Sequence, residues 1–398
     1  MMVKVRGFFK DIKGTGRIIE MRKAQIAKAP SIPMGHDPIK ELANKLHPSE
    51  LHLKVDSIVD ETPSTKTYRF VKNEGPDIPY FQAGQYISFK LNIGDSFVTR
   101  PYTISSSPYE TLGKNPYVEV TMKVKPGGLV SEYIFENWKV GTLVTANMPL
   151  GHFYYEPLRD AKNVVAMAGG SGITPFKSMA KEIVNGKLDM NLTILYGSRF
   201  KNDIIFYEEL EELAKKSKGK VKVVNILSDE ENWDGEKGFI NAEVIKKYSD
   251  PKNTTYYVCG PGAMYNFIDK EIAKLGIPEK RYRKEVCGED PDIYRMADFP
   301  EKAKNKTYKI KVNMGCESVE IPANSRETVL VALERAGIKQ DSNCRSGECG
   351  FCRSKLEKGN VYVNKKNDGR RSADKEYGYF HPCSSYPISD LEIRVFIS

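Results

Sequence analysis

Four cysteines near the C-terminal end constrain this chain more than anything else in its sequence. Cys344, Cys349 and Cys352 share one short loop with C-x4-C-x2-C spacing, Cys344-Arg-Ser-Gly-Glu-Cys349-Gly-Phe-Cys352, and Cys383 follows in a separate segment. Three thiolates from one turn-rich stretch plus a remote fourth make a ligand set for an iron-sulfur cluster. Structural zinc sites usually pair their ligands as two C-x2-C units. A disulfide framework belongs to short secreted chains, whereas this one has 398 residues and an odd count of seven cysteines. Gly347 and Gly350 lack a Cβ, so the loop can take dihedrals that turn its N–H groups towards sulfur.

The flanking pattern agrees with this. Strands are expected at 308–314 and 319–321, a helix at 328–336 closed by Gly337, and a last strand at 390–395. With the cysteine spacing, residues 307–398 resemble the plant-type ferredoxin module, an α+β fold of the β-grasp kind. The resemblance implies a 2Fe-2S cluster on Cys344, Cys349, Cys352 and Cys383. It also implies a low potential, roughly −400 mV for centres of that type.

A chain of 398 residues is too long for one hydrophobic core and should divide into several domains. It contains no run of eighteen apolar residues and no apolar leader at its start, so no membrane span is expected and the cytoplasm is the expected location. Of the formal charge of +9, the first thirty residues carry +6, from eight cations against Asp11 and Glu20. Residues 1–50 read as a basic extension that could dock an acidic protein, touch an anionic membrane or stay solvated. Phe8, Phe9, Ile12, Ile18, Ile19, Met21 and Ile26 interrupt the charges, which favours packing on the body or a partner over free disorder. No nucleic-acid motif accompanies the basic residues, so nucleic acid is not expected as a partner.

From residue 51 the pattern becomes alternating apolar and polar, at 51–55, 67–71, 86–91 and 118–124, with Gly and Pro between the runs. Period two over many short runs predicts a small antiparallel β-barrel, assigned to 51–157. Within it lie Gly84-Gln-Tyr86, Arg100-Pro-Tyr102-Thr103-Ile-Ser-Ser106, Lys125-Pro-Gly127-Gly128-Leu-Val-Ser131 and Pro149-Leu-Gly151-His-Phe153. In that order they resemble the flavin-binding motifs of the ferredoxin-NADP reductase superfamily. The resemblance assigns Arg100 to the flavin phosphate, Tyr102 to the isoalloxazine ring and Thr103 to hydrogen bonding near N5. It places Ser106, Gly127, Gly128, Ser131, Gly151 and Phe153 around the same cofactor, FAD in preference to FMN. Thr103 stands where the family usually has Ser, which keeps the hydroxyl and adds a methyl.

Residues 158–300 switch to strand and helix alternation. Strands are expected at 164–168, 192–196, 221–227 and 255–258, and helices at 174–184, 204–214 and 263–275. Continuous apolar strands between helices indicate a parallel, doubly covered Rossmann-like sheet. Its first strand ends in Gly169-Gly170-Ser-Gly172-Ile-Thr174-Pro175, where glycines permit backbone approach to a pyrophosphate at a helix N-terminus. Its last strand ends in Cys259-Gly260-Pro261-Gly-Ala-Met264, which resembles the superfamily's C-G-P-x-x-M motif and implies a thiol beside the nicotinamide. Thr103 and Cys259 are thus the catalytic candidates. After the second strand, Ser198, Arg199 and Lys201 lean the reading towards NADPH, whereas Asp203 could serve NADH. Cys287 and Cys316 read as structural thiols, and His381 as an exposed strand-end residue.

Together the modules resemble three-part reductases with the ferredoxin last, such as those of hybrid-cluster protein and of phenylacetyl-CoA or steroid oxygenases. What this implies is an NAD(P)H:acceptor oxidoreductase that takes electrons in pairs and passes them singly, through FAD and a 2Fe-2S cluster, to a hybrid-cluster protein, an oxygenase or another metalloenzyme. Arg345 and Arg353 would offer the acceptor positive charge. The alternative is a non-autonomous electron-transfer subunit of a stable oxidoreductase complex.

Overall fold

The computed structural model describes residues 8–29, 35–285, 288–289, 292–365 and 368–396, and so leaves Cys287 outside the described residues. The chain divides into two units, Met1–Asn44 and Lys45–Ser398. The first is helical: α1 spans Phe8–Lys28 and α2 Pro38–Leu46. Asp37 starts α2 by accepting hydrogen bonds at Oδ1 from Ile39 N (3.1 Å) and Lys40 N (3.0 Å), with Pro38 in the first turn, where a missing N–H costs nothing. Ile18, Ile19, Met21 and Ile26 of α1 are exposed.

The second unit contains three sheets. Strands β1 (Leu51–Thr62), β2 (Thr65–Glu74), β3 (Tyr86–Ile93), β4 (Ser96–Thr103), β5 (Tyr117–Lys123) and β6 (Leu143–Leu150) form an antiparallel sheet in the order β4-β3-β6-β1-β2-β5. An antiparallel bridge between Ile104 and Val120 joins the two edges and closes the barrel. Alternation explains its core: Leu51, Leu53 and Val55 point inward with Phe70, Phe89 and Trp138, each such side chain contributing about 1.5–3 kcal/mol by leaving water. Helix α3 (Leu129–Asn137) supplies Val130 and Ile134 to that core.

The second sheet is parallel throughout, in the order β10-β9-β8-β7-β11-β12. Its strands are β7 (Asn163–Gly169), β8 (Asn191–Ser198), β9 (Val221–Leu227), β10 (Glu236–Lys237), β11 (Thr254–Cys259) and β12 (Tyr282–Lys284). Helices α4 (Thr174–Val184), α5 (Tyr207–Lys216), α6 (Ala242–Lys247) and α7 (Gly262–Lys274) connect them. The helix expected at 204–214 begins only at Tyr207. Phe206 takes a left-handed backbone (φ 62°), and Ile204, Ile205 and Phe206 are plugged into the core as an irregular segment instead of the first helical turn.

The third sheet, β14-β13-β19-β15-β17, has the α+β β-grasp arrangement. It comprises the hairpin β13 (Thr307–Met314) and β14 (Glu317–Asn324), then β15 (Ser354–Lys358), β17 (Tyr379–Phe380) and β19 (Leu391–Arg394), the last parallel to β13. A separate pair joins β16 (Val361–Val363) to β18 (Ser385–Pro387). Helix α8 (Val329–Arg335), capped by Thr328 Oγ1 accepting from Val331 N at 3.2 Å, packs Val329, Ala332 and Leu333 on the sheet. Cys316, expected to be a structural thiol, is exposed at the β13–β14 turn.

Candidate functional site

Strand β4 carries Arg100, Tyr102 and Thr103. The Arg100 side chain is three-quarters buried, its Nη1 donating to Thr99 O at 2.8 Å and lying 3.9 Å from Glu334 Oε2. Burial, and after it the charge of Arg345, pull its pKa below the ordinary guanidinium value. A crowded, half-desolvated cation of this kind favours an added anion, as a flavin phosphate would be. The Tyr102 ring lies 6.2 Å from that of Phe89, and burial pushes its hydroxyl pKa up to about 12. Thr103 is buried. The Ser106 hydroxyl is engaged, accepting from Glu119 N at 3.0 Å, while its carbonyl accepts from Ser178 Oγ of α4 at 2.6 Å.

The loop before α3 already accepts a carboxylate. Gly127 N donates to Glu132 Oε1 at 2.6 Å, Gly128 is the N-cap, and the Ser131 hydroxyl accepts from Lys125 N at 3.1 Å. A helix start whose free N–H holds an anion suits a diphosphate. The Gly151 carbonyl accepts from Gln85 Nε2 at 3.1 Å, and the Phe153 ring packs edge-on against Tyr257 (5.1 Å) and Phe176 (6.0 Å), tying the barrel to the parallel sheet.

In the parallel sheet the two glycine motifs meet. Strands β7 and β11 pair through Ala168 and Cys259, so the turns Gly169–Thr174 and Cys259–Pro261 lie side by side. The approach is closest at Gly172, where a Cβ would stand 2.1 Å from Cys259 O; only glycine fits. Thr174 opens α4 and donates from Oγ1 to Ser171 O at 3.1 Å. Gly170 has φ 53°, and Met264 lies against both Gly169 and Gly260. Cys259 is buried; desolvation, and then the charge of Glu285, push its thiol well above the ordinary value, so it presents a neutral S–H. At the end of β8, Ser198 is half-buried and the Arg199 Nε donates to Asp229 Oδ2 at 2.6 Å.

The C-terminal sheet brings the four sequence-predicted cysteines together. Cys344 lies close enough to Cys349 and Cys383, and Cys383 to Cys352, for their thiols to interact. Cys344 Sγ also accepts from Ser346 N (3.5 Å) and Cys349 N (3.4 Å). Those thiol donors first, then the backbone, hold its pKa far below the ordinary thiol value, while Cys349 and Cys383 are pushed up as its donors. Four sulfurs brought to one place are the ligand set an iron-sulfur cluster takes, as thiolates. Among the described residues no group of three or more His, Cys, Asp or Glu side chains is arranged for a single ion. Cys344, Cys352 and Cys383 are buried and Cys349 is exposed, so the four sulfurs fit a cluster held at the molecule's edge.

Two expectations near this loop fail. Arg345 has a fully buried side chain: its Nε donates to Glu289 Oε1 at 2.7 Å and its Nη2 to Glu334 Oε2 at 3.0 Å. It is therefore no surface charge for a partner. His381 is buried as well, its Nδ1 2.6 Å from Gly347 O, so its ring faces the cluster loop instead of solvent. Arg353 remains exposed, over the Tyr379 ring at 4.6 Å.

Three family models match in sequence: an oxidoreductase FAD-binding domain over residues 52–155, an oxidoreductase NAD-binding domain over 167–270 and a 2Fe-2S iron-sulfur cluster binding domain over 312–387. The chain carries the FAD-binding, NAD-binding and 2Fe-2S domains of a three-module reductase. This reductase is 28% identical over 350 residues to the glycine betaine monooxygenase reductase subunit of Chromohalobacter salexigens, covering 85% of the chain and 93% of the relative. It is 27% identical to the ferredoxin reductase component of 3-ketosteroid-9-alpha-monooxygenase from Mycobacterium tuberculosis, covering 85% and 94%. Its fold matches crystalline phthalate dioxygenase reductase with a TM-score of 0.61 at 22% identity, over 88% of the chain and 98% of that protein. The reductase thus carries electrons from NAD(P)H through FAD and a 2Fe-2S cluster to an acceptor protein.

Sequence reasoning missed several residues that shape these sites in the reductase. Glu285, directly after β12, is buried near Cys259, and Tyr265 joins them, its hydroxyl accepting from Gly260 N at 3.3 Å and donating to Glu285 O. Three-residue β12 gives no periodic signal, so nothing marked Glu285. Glu334 read as one more helix residue; a buried acid in an apolar stripe was the available clue.

Proposed function

We propose that this reductase delivers single electrons to an oxygenase-type metalloenzyme from three modules, 51–157, 158–300 and 307–398, set behind the extension 1–50. The observation that carries the reading is the seating of the cluster loop on the flavin strands. Just ahead of Cys344, the Ser342 hydroxyl bonds that of Thr99 on β4, and Asn343 O accepts from Ser88 Oγ on β3 at 3.3 Å. The cluster ligands are thereby held beside the strand that bears Arg100, Tyr102 and Thr103.

When bound, the flavin takes up the electron pair of a hydride and the cluster releases electrons one at a time. The chain's own residues do the rest. Arg100 and the 127–131 loop hold the flavin's phosphates, Tyr102 and Gly151 border its ring, and Thr103 offers a hydroxyl near N5. Gly169, Gly170, Gly172 and Thr174 receive the nucleotide's pyrophosphate, with Gly260 and Pro261 lining the nicotinamide end. The neutral Cys259 thiol excludes water there without adding charge. Cys344, Cys349, Cys352 and Cys383 hold the cluster. The acceptor docks on the exposed rim of Phe351, Arg353, Tyr377 and Phe396, replacing the buried Arg345 as the source of positive charge. The setting is a reducing compartment such as the cytoplasm, which Cys259 and Cys316, outside the cluster set and in no disulfide, suit.

An anaerobic absorbance titration with NADH and NADPH tests this. Flavin and cluster bands should both bleach within a few equivalents. A flavin band that bleaches while the cluster stays oxidised and an added acceptor stays unreduced would overturn the proposed route.

A further inference from the structure

The geometry points to NADH as the physiological donor and to Asp229 as the residue that selects it. This deepens the proposed function and rests on the β7 and β11 turns being the nucleotide cleft. In an open parallel sheet the dinucleotide crosses the C-terminal strand ends at the point where strand order reverses, between β7 and β11 here. Its adenosine half then lies over the ends of β8 and β9.

Those ends hold Arg199 and Asp229 in one rigid pair. Asp229 N donates to Arg199 O at 3.0 Å and Ser228 N to Ser198 O at 3.1 Å, which fixes the two backbones side by side. Arg199 Nε then donates to Asp229 Oδ2 at 2.6 Å. The following turn adds two carboxylates held by its backbone, Lys201 N donating to Glu230 Oε2 at 3.2 Å and Phe200 N to Asp203 Oδ2 at 3.3 Å, while the Lys201 ammonium lies over the Tyr207 ring at 5.5 Å. The one cation at these strand ends that is paired, Arg199, is thus already taken by Asp229, and Glu230 and Asp203 add negative charge along the same turn.

A 2′-phosphate brings up to two further negative charges. To pair with Arg199 it must displace Asp229, whose backbone keeps the carboxylate close by. The free ribose of NADH asks for something else, an acceptor for its hydroxyl groups. Asp229 provides one: its Oδ2 is held by Arg199, which leaves Oδ1 to accept from the ribose. The acid that a dinucleotide fold usually places near the second strand is supplied here from β9, and Arg199 orients it.

The test uses the full-length holo-reductase. Flavin reduction should show kcat/KM at least about tenfold higher for NADH than for NADPH, and calorimetry should show 5′-AMP binding more tightly than 2′,5′-ADP. In Asp229→Asn, kcat/KM for NADPH should rise about tenfold through KM and 2′,5′-ADP should bind more tightly, while Asp229→Glu retains the NADH preference. Preference for NADPH in the wild type, or a ratio within about twofold of wild type in Asp229→Asn, overturns the proposal. Binding of neither fragment, with no flavin reduction by either dinucleotide, defeats the nucleotide-cleft reading itself.

Discussion

Arg345 shows how far a single residue can depart from its apparent role. Beside a cluster ligand, a long cation reads as surface charge, yet Glu334 and Glu289, 11 and 56 positions away, enclose it completely. Burial alone would lower its pKa, and the two carboxylates outweigh that and raise it. Glu334 also faces Arg100, so one carboxylate serves a cation on the flavin strand and another on the cluster loop. Removing it leaves two arginines sharing Glu289. Glu334→Ala should cost about 3–5 kcal/mol, the usual penalty for stranding a buried charge. Denaturant unfolding followed through the cluster's visible absorbance measures it, and an unchanged midpoint would mean that the pair is not buried in solution. Such a partnership has no local sequence pattern. The four cysteines were legible because one loop carries three of them, and Arg345 was not because its partners arrive from a helix and a linker.

At the scale of elements, what the sequence shows depends on period and length. Helix α4 appears where its apolar spacing, Pro175 and the preceding glycines put it, whereas β10 and β12, of two and three residues, are too short for any period. The contact between the β7–α4 turn and the end of β11 was foreshadowed by two glycine motifs but its closeness was not. Gly172→Ala forces the turn away from Cys259 O, because the added methyl has no room at 2.1 Å. The shift opens the nucleotide cleft by about an ångström, and misplacement of that size costs about 100-fold in rate. Stopped-flow flavin reduction should show that loss in kcat/KM with cluster absorbance retained. A variant that reduces normally would show that the two turns separate freely.

Across the whole molecule, the order of modules is legible in the sequence and their contacts are not, since hydrogen bonds such as Thr99 to Ser342 join residues 243 positions apart. Flavin and nucleotide modules are fastened by buried charge as well as by the Phe153 ring. Lys177 of α4, 2% exposed, sits between Glu119 of β5 and Glu209 of α5, and Lys181 pairs with Glu110 at 2.6 Å. The cluster loop is fastened to the barrel by Ser342, Asn343 and Glu334. All of these contacts lie within Lys45–Ser398, while Met1–Asn44 forms a unit of its own. A chain lacking residues 1–44 should therefore keep flavin and cluster, and reduce ferricyanide with NAD(P)H at a kcat within about twofold of the full chain, as expected of a unit with its own core. Electron delivery to a protein acceptor is the readout that can differ, since the basic charge and exposed Ile18, Ile19, Met21 and Ile26 are removed with the segment. Loss of bound flavin from the truncated chain would instead make the N-terminal helices part of the cofactor site, and the separation into two units would then fail as a description of how the reductase works.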